Sequence, residues 1–222
     1  MSNYFHRQIQ LWGEQTQNSL KHKKILIIGS GGLGSSFAYA LGASGIGEIQ
    51  VVDFDTVSLH NIHRQILFTL NDEGKFKADI FKSVVQSRYD GVEVITHKMK
   101  FSEFVSKNST KFDLIFDATD NLETRSCIDK FAKNTNTPWI YASTQAFHSQ
   151  VCFFDKASFK PLLKDGINPE GLAAPIVMFA ASFSANLGLR YLANLDVKKD
   201  TLYYLDISSG ELKVSKFSLQ KP

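Results

Sequence analysis

The sequence predicts an α/β fold: a Rossmann-like, doubly wound, mostly parallel sheet with an antiparallel C-terminal edge. Three observations carry this expectation. Short apolar runs alternate with helical stretches between Ile25 and Ala142, a glycine-rich turn joins the first run to the helix after it, and strand-like runs flank one long apolar helix beyond Ser149.

Taken in order, residues 3–20 place Phe5, Ile9, Trp12 and Leu20 near helical spacing and read as an amphipathic N-terminal helical arm, 1–20, followed by the basic run Lys21 to Lys24. Ile25–Ile28 is the first strand, the glycine turn follows, and a small-residue helix runs to about Ser44. Ile49–Val52 is a second strand, then come a polar loop and a helix near Glu73–Arg88. Val92–His97, Leu114–Phe116 and Trp139–Ala142 read as further strands, with a helix between Glu123 and Lys133. Val151–Phe154, Leu202–Leu205 and Leu212–Phe217 are the strands of the C-terminal edge, and Ile176 to Ala193 is the long apolar helix. The irregular segment Lys156–Gly171, with its glycines and prolines, suits a mobile flap over a site.

With 222 residues, 43% of them hydrophobic, the chain fills one core, and a single domain over 1–222 is expected. A formal net charge of +3 among interspersed charges of both signs does not point to a nucleic-acid partner. No apolar run approaches the roughly 18 residues of a membrane span, and Met1 to Leu20 lacks the form of a signal peptide, so the expectation is a cytoplasmic protein without a membrane partner. Cys127 and Cys152 sit in apolar segments and read as packing residues, too few for a thiolate zinc site. His60 and His63 are the close histidine pair, but no ligand motif accompanies them.

Gly29-Ser30-Gly31-Gly32-Leu33-Gly34 follows a strand and opens a helix, the context in which glycines bring backbone N–H groups against phosphate oxygens. Gly29, Gly31, Gly32 and Gly34 are therefore candidate nucleotide contacts. Asp53, nineteen residues after Gly34 at the end of the second strand, can accept both hydroxyl protons of a ribose. Asp55 is either a second polar contact or a solvated loop acid. A ribose acid does not separate NAD from ATP, but extra positive charge does: Asn61-Ile62-His63-Arg64-Gln65 comes next, and Lys77 is read one to two turns into the following helix. Arg64 and Lys77 can both reach phosphates there. After the strand Leu114–Phe116, Asp117-Ala118-Thr119-Asp120-Asn121 places Asp120 at the ligand crevice, either to hold magnesium with substrate phosphates or to cap the next helix.

Together these residues resemble the ThiF/MoeB family (ThiF/MoeB/HesA), relatives of the ubiquitin-activating enzymes. The resemblance rests on Arg7-Gln8-Ile9-Gln10-Leu11-Trp12-Gly13, the glycine motif, Val52-Asp53-Phe54-Asp55-Thr56-Val57-Ser58, Asn61-x-x-Arg64-Gln65, Gly74-x-x-Lys77 and Asp117-x-x-Asp120-Asn121-x-x-x-Arg125. Ala173-Ala174-Pro175 is similar to the family's short turn before the apolar helix. It implies that Gly32 and its neighbours, Asp53, Asn61, Arg64, Lys77, Asp120 and Asn121 contact Mg-ATP, with Asp120 on the magnesium. Arg7 resembles the arginine supplied to a partner subunit's site, so a homodimer is implied. The implied reaction is adenylation of the C-terminal glycine of a ubiquitin-like sulfur carrier ending in Gly-Gly, ThiS- or MoaD-like, for thiamine or molybdopterin sulfur transfer. Asp120, Arg64, Lys77 and Arg7 would carry the catalysis.

The chain departs from that pattern in lacking the two Cys-x-x-Cys pairs that hold zinc in many relatives and the crossover-loop cysteine, so no zinc is expected and adenylation is better supported than a thioester step. Three other readings remain: adenylation of a small-molecule carboxylate, a noncatalytic activator-like subunit, and an NAD-dependent oxidoreductase. The last leaves Arg64, Lys77 and Asp120 without a role.

Overall fold

The computed structural model describes residues 4–108, 110–162 and 171–220. The arm is two helices rather than one, α1 (His6–Trp12) and α2 (Glu14–Leu20), because Gly13 between them takes φ +83°, a conformation that breaks a helix. The alternating series follows: β1 (Lys24–Ile28), α3 (Gly32–Leu41), β2 (Glu48–Val52), α4 (Leu59–Ile62), α5 (Lys77–Arg88), β3 (Glu93–His97), α6 (Phe101–Lys107), β4 (Leu114–Asp117), α7 (Leu122–Thr135) and β5 (Trp139–Gln145). Next come β6 (His148–Phe154), α8 (Ala174–Leu192), β7 (Thr201–Asp206) and β8 (Lys213–Ser218).

The strands form one sheet in the order β3-β2-β1-β4-β5-β6-β7-β8. The first five are parallel and β6, β7 and β8 add antiparallel pairs, the expected C-terminal edge. β1 is apolar from Ile25 to Ile28 and β2 is buried along its whole length, Glu48 and Gln50 included, because helices cover both sheet faces there. One face packs Phe37 of α3, Phe81 of α5 and Ala180 and Ala181 of α8 against β1, β2 and β4. The other packs Phe104 of α6 and Ile128 and Phe131 of α7 against Leu26, Ile115 and Trp139. No helix among the described residues is long and apolar enough to cross a membrane.

Several expectations change. The helix read near Glu73–Arg88 starts at Lys77. Ahead of it Leu70–Asp72 forms a 3-10 turn, Gly74 takes φ +80°, and Phe76 bridges antiparallel to Thr56. Lys77 is thus the first residue of α5, not one to two turns inside it. The short α4 and α6 were not expected. The expected flap is corrected in its first part: Ala157 and Phe159 are buried beside Trp139 and Phe154, so that stretch is anchored in the core. The remainder of that segment, residues 163–170, lies outside the described residues.

Candidate active site

Sheet order reverses between β1 and β4, where the chain leaves one strand for one face and the next for the other, opening a crevice at their carboxyl ends. Ile28 pairs with Asp117, so the turn after β1 and the loop after β4 emerge side by side. Their contact is close: a Cβ on Gly29, which has φ +94°, would stand 2.6 Å from the Ala118 carbonyl oxygen. A Cβ on Gly32 would stand 2.8 Å from Val177, and one on Gly34 would strike the Gly29 carbonyl. Glycine is required at these positions by packing.

Gly31 is the N-cap of α3, and no side chain caps that helix. The first N–H groups of a helix have no intrahelical acceptor, so this terminus presents free donors and a partial positive charge to the crevice. Around it the Ser30 Oγ, Ser35 Oγ and Gln65 Oε1 atoms are buried without a hydrogen-bond partner. Gln65 is 5% exposed and its amide lies 3.5 Å from where a Gly31 Cβ would be. A helix start with free N–H donors, beside two buried hydroxyls without partners, fits an anionic ligand.

Asp53 ends the strand beside this turn. One of its carboxylate oxygens accepts the Ser30 N–H and the other accepts the Asp55 N–H at 2.7 Å. Burial raises its carboxyl above the usual range, against the lowering effect of those two bonds and of Lys77. Each oxygen keeps a lone pair for a ribose hydroxyl. The Asp53 N–H donates to the His97 carbonyl at 3.1 Å, which brings the end of β3 alongside; sequence spacing did not reveal this neighbour.

Asn61 lies on α4 and accepts from Arg64 Nη2 at 3.0 Å, so the asparagine orients the guanidinium. The Arg64 carbonyl lies 3.6 Å from the position of a Gly32 Cβ, which sets this loop against the start of α3. Lys77 is buried, and its ammonium pairs with Asp55 Oδ2 at 3.1 Å. Asp55, read from sequence as a contact or a solvated loop acid, is therefore an ion-pair partner.

The loop after β4 separates two roles that the sequence left open. Asn121 is the N-cap of α7, its side chain accepting the Thr124 N–H at 2.8 Å, so Asp120 does not cap the helix. The exposed Asp120 carboxylate is touched by the Asn121 amide at 3.5 Å. Beneath it Arg125 is buried. Its Nε pairs with Asp117 Oδ2 at 3.0 Å, and its Nη2 donates to the Thr119 carbonyl at 2.6 Å and the Ala142 carbonyl at 3.2 Å. Burial raises the Asp117 carboxyl while the Arg125 charge opposes the rise. Among the described residues no group of three or more His, Cys, Asp or Glu side chains suits a metal ion. Asp120 would hold magnesium only together with substrate phosphates, a ligand set that this small, strongly hydrated cation accepts.

Arg7 stands apart. Gln8 and Gln17 both donate to the Ser44 carbonyl at 3.0 Å, just past the end of α3, and the Tyr4 hydroxyl donates to the Arg88 carbonyl at 2.8 Å, at the end of α5. Those helix ends lie at the opposite end of the strands from the glycine turn, roughly 15 Å away over the ten residues of α3. The Arg7 side chain bonds Gln10 at 3.1 Å and does not join its own chain's crevice. Cys127 is half-buried on α7 and Cys152 buried on β6, and burial pushes both thiols up, which disfavours the thiolate.

Comparison with known proteins places the chain among adenylyltransferase relatives. The Thermus thermophilus protein named sulfur carrier protein adenylyltransferase is 33% identical over 153 residues, which cover 68% of this chain and 56% of that protein. The Escherichia coli K12 sulfur carrier protein ThiS adenylyltransferase is 27% identical over 206 residues, covering 88% of this chain and 82% of that one. Against the first curated relatives it matches, the chain spans only about a quarter to just over half of their length. The crystal structure of E. coli MccB with ATP superposes on the whole chain and on 72% of its own, with TM-score 0.87 at 21% identity, a likeness of fold. Residues 5–222 match the ThiF family, and the chain belongs to it.

Proposed function

We propose that this chain is an ATP-dependent adenylyltransferase that activates the C-terminal glycine carboxylate of a ubiquitin-like sulfur carrier protein, ThiS- or MoaD-like, as an acyl-adenylate. One observation supports the reading: an uncapped glycine-rich helix start, the buried Asp53 carboxylate bonded to the Ser30 N–H, the Arg64 main chain against Gly32 and the buried Lys77 paired with Asp55 are neighbours at the switch point. A dinucleotide cofactor would need the first two and leave the cations unused.

A C-terminal carboxylate, with a pKa of about 3.5, is already an anion at neutral pH and needs no general base. Its oxygen attacks the α-phosphorus, the bond to the β-phosphoryl oxygen breaks, and pyrophosphate leaves. What the chain supplies is alignment and charge. Asp53 would take the ribose hydroxyls and the α3 N-terminus the phosphate oxygens, while Arg64, oriented by Asn61, and Lys77 offset the charge that develops on the leaving group. Asp120 would hold magnesium, which when bound neutralises phosphate charge, and Asn121 beside it would contact the nucleotide. Arg7, at the opposite end of the strands from its own crevice, would serve the site of a second copy in a homodimer.

The relatives named for sulfur carriers support that acceptor over a small-molecule carboxylate. The test is ATP–pyrophosphate exchange, assayed with each Gly-Gly-ending carrier of the source organism and with small carboxylates in parallel. Exchange driven by one carrier is expected. Tight binding of NADH with no binding of Mg-ATP would overturn the reading.

A further inference from the structure

Asp55 has no part in the chemistry above, yet it is tied at three atoms. Its N–H donates to Oδ1 of Asp53 at 2.7 Å, its carbonyl accepts the Lys77 N–H at 3.0 Å, and its Oδ2 pairs with the Lys77 ammonium at 3.1 Å. The Lys77 side chain is 6% exposed while that of Asp55 is 51% exposed. One residue thus joins the acid suited to a ribose to the lysine suited to a phosphate.

We propose that Asp55 is a positioning residue: its carboxylate fixes the Lys77 ammonium at the crevice wall before nucleotide arrives. The inference rests on the adenylation reading of the same site. A lysine ammonium rides on a flexible four-carbon stem and gives little directed stabilisation unless something holds it. The main-chain bond from Lys77 to Asp55 sets where the stem starts, and the side-chain pair sets where it ends. The carboxylate also opposes nucleotide binding, because it places a negative charge near the position of a polyphosphate. Positioning and repulsion act on different quantities. The first raises the rate of the chemical step, and the second weakens the ground-state complex.

Asp55→Asn removes the charge and keeps the size, so it separates the two. Titration with α,β-methylene ATP and magnesium should show the variant binding about three- to tenfold more tightly than wild type. In protein labelled at lysine, the Lys77 side-chain NMR signal should broaden or move toward the exposed lysines. Exchange with a carrier that supports it in wild type should show KM for ATP falling and kcat falling about tenfold or more, with Asp55→Glu restoring part of the loss. Unchanged analogue affinity together with an unchanged Lys77 signal would overturn the proposal. So would a variant with raised kcat, which would make Asp55 a latch that the reaction must open. If wild type itself fails to bind the analogue, the adenylation reading falls, a result seen without reference to the variant.

Discussion

Gly29→Ala tests whether the crevice depends on the contact between the turn after β1 and the loop after β4. Two terms make up the expected loss. An alanine at φ +94° sits in the left-handed region, which disfavours a residue with a Cβ by about 1–2 kcal/mol. The new Cβ would also lie 2.6 Å from the Ala118 oxygen and 2.9 Å from its carbonyl carbon. Both are main-chain atoms, so no flexible side chain can yield, and overpacking of this kind adds about 1–3 kcal/mol. The sum, about 2–5 kcal/mol, lowers Tm by about 4–20 °C for a domain of this length. Gly210→Ala is the control. Gly210 has φ +80° but nothing within 4 Å of its would-be Cβ, so it carries only the first term, about 2–8 °C. Only the Gly29 variant pushes apart the two loops of the crevice, and its affinity for Mg-ATP should fall at least about tenfold, against little change for Gly210→Ala. Thermal melts and nucleotide titration of both variants decide the matter. A Gly29→Ala protein that melts no lower than Gly210→Ala, or that keeps wild-type nucleotide affinity, would refute the reasoning.

Four further outcomes are expected. Asp120→Asn should abolish pyrophosphate exchange while leaving nucleotide affinity within about tenfold, because its role is strongest in the transition state; an unchanged exchange rate would remove it from the mechanism. Arg7→Ala and Asp120→Ala subunits, each inactive alone, should recover roughly a quarter of wild-type activity when mixed under subunit exchange, and persistent inactivity in confirmed heterodimers would confine Arg7 to a structural role. The double variant Cys127→Ala, Cys152→Ala should fold, melt slightly below wild type and retain adenylation; loss of exchange in a folded, ATP-binding double variant would expose a nucleophile. Burial raises the Asp53 carboxyl, so the native state binds that proton more tightly than the unfolded chain. Its favourable contribution therefore belongs to the acid side and is lost as pH rises through the raised value. Asp53→Asn should gain stability relative to wild type as pH rises above the ordinary carboxylate range of about 4, whereas a pH-independent difference between the two melts would contradict the assignment.

Much of this molecule is legible in its sequence because the relevant signals are local. Ile25–Ile28, the glycines after it and Asp53 announce a strand, a turn and a second strand end within one βαβ unit, and the structure places them so. What escaped reading depends on distance along the chain. Asp55 and Lys77 pair across 22 positions, and Arg125 reaches Ala142 on a strand that no helical pattern connects to it. The position of Arg125 was evident in its motif, but its burial was not, since nothing local distinguishes a buried arginine from a solvated one. The short α6 was missed because it offers only Phe101, Phe104 and Val105 as apolar residues, too few to establish a period. The break at Gly13 lay in view, but the apolar spacing of the arm runs through it.

The ties made by Arg125 have a consequence for how the crevice meets its ligands. The Thr119 carbonyl, the Asp117 carboxylate and the Ala142 carbonyl converge on one buried guanidinium, which also lies over the Tyr141 ring at 5.1 Å. The loop that carries Asp120 is thereby stiffened from below by bonds that no incoming molecule must form. Ordering a loop residue from a free state gives up about 1–2 kcal/mol of conformational entropy, and a loop already held loses that freedom during folding rather than at each encounter. On the adenylation reading, ligand affinity at Asp120 would then reflect its contacts alone. A change at Arg125 would be felt as slower, weaker capture at a carboxylate it never touches.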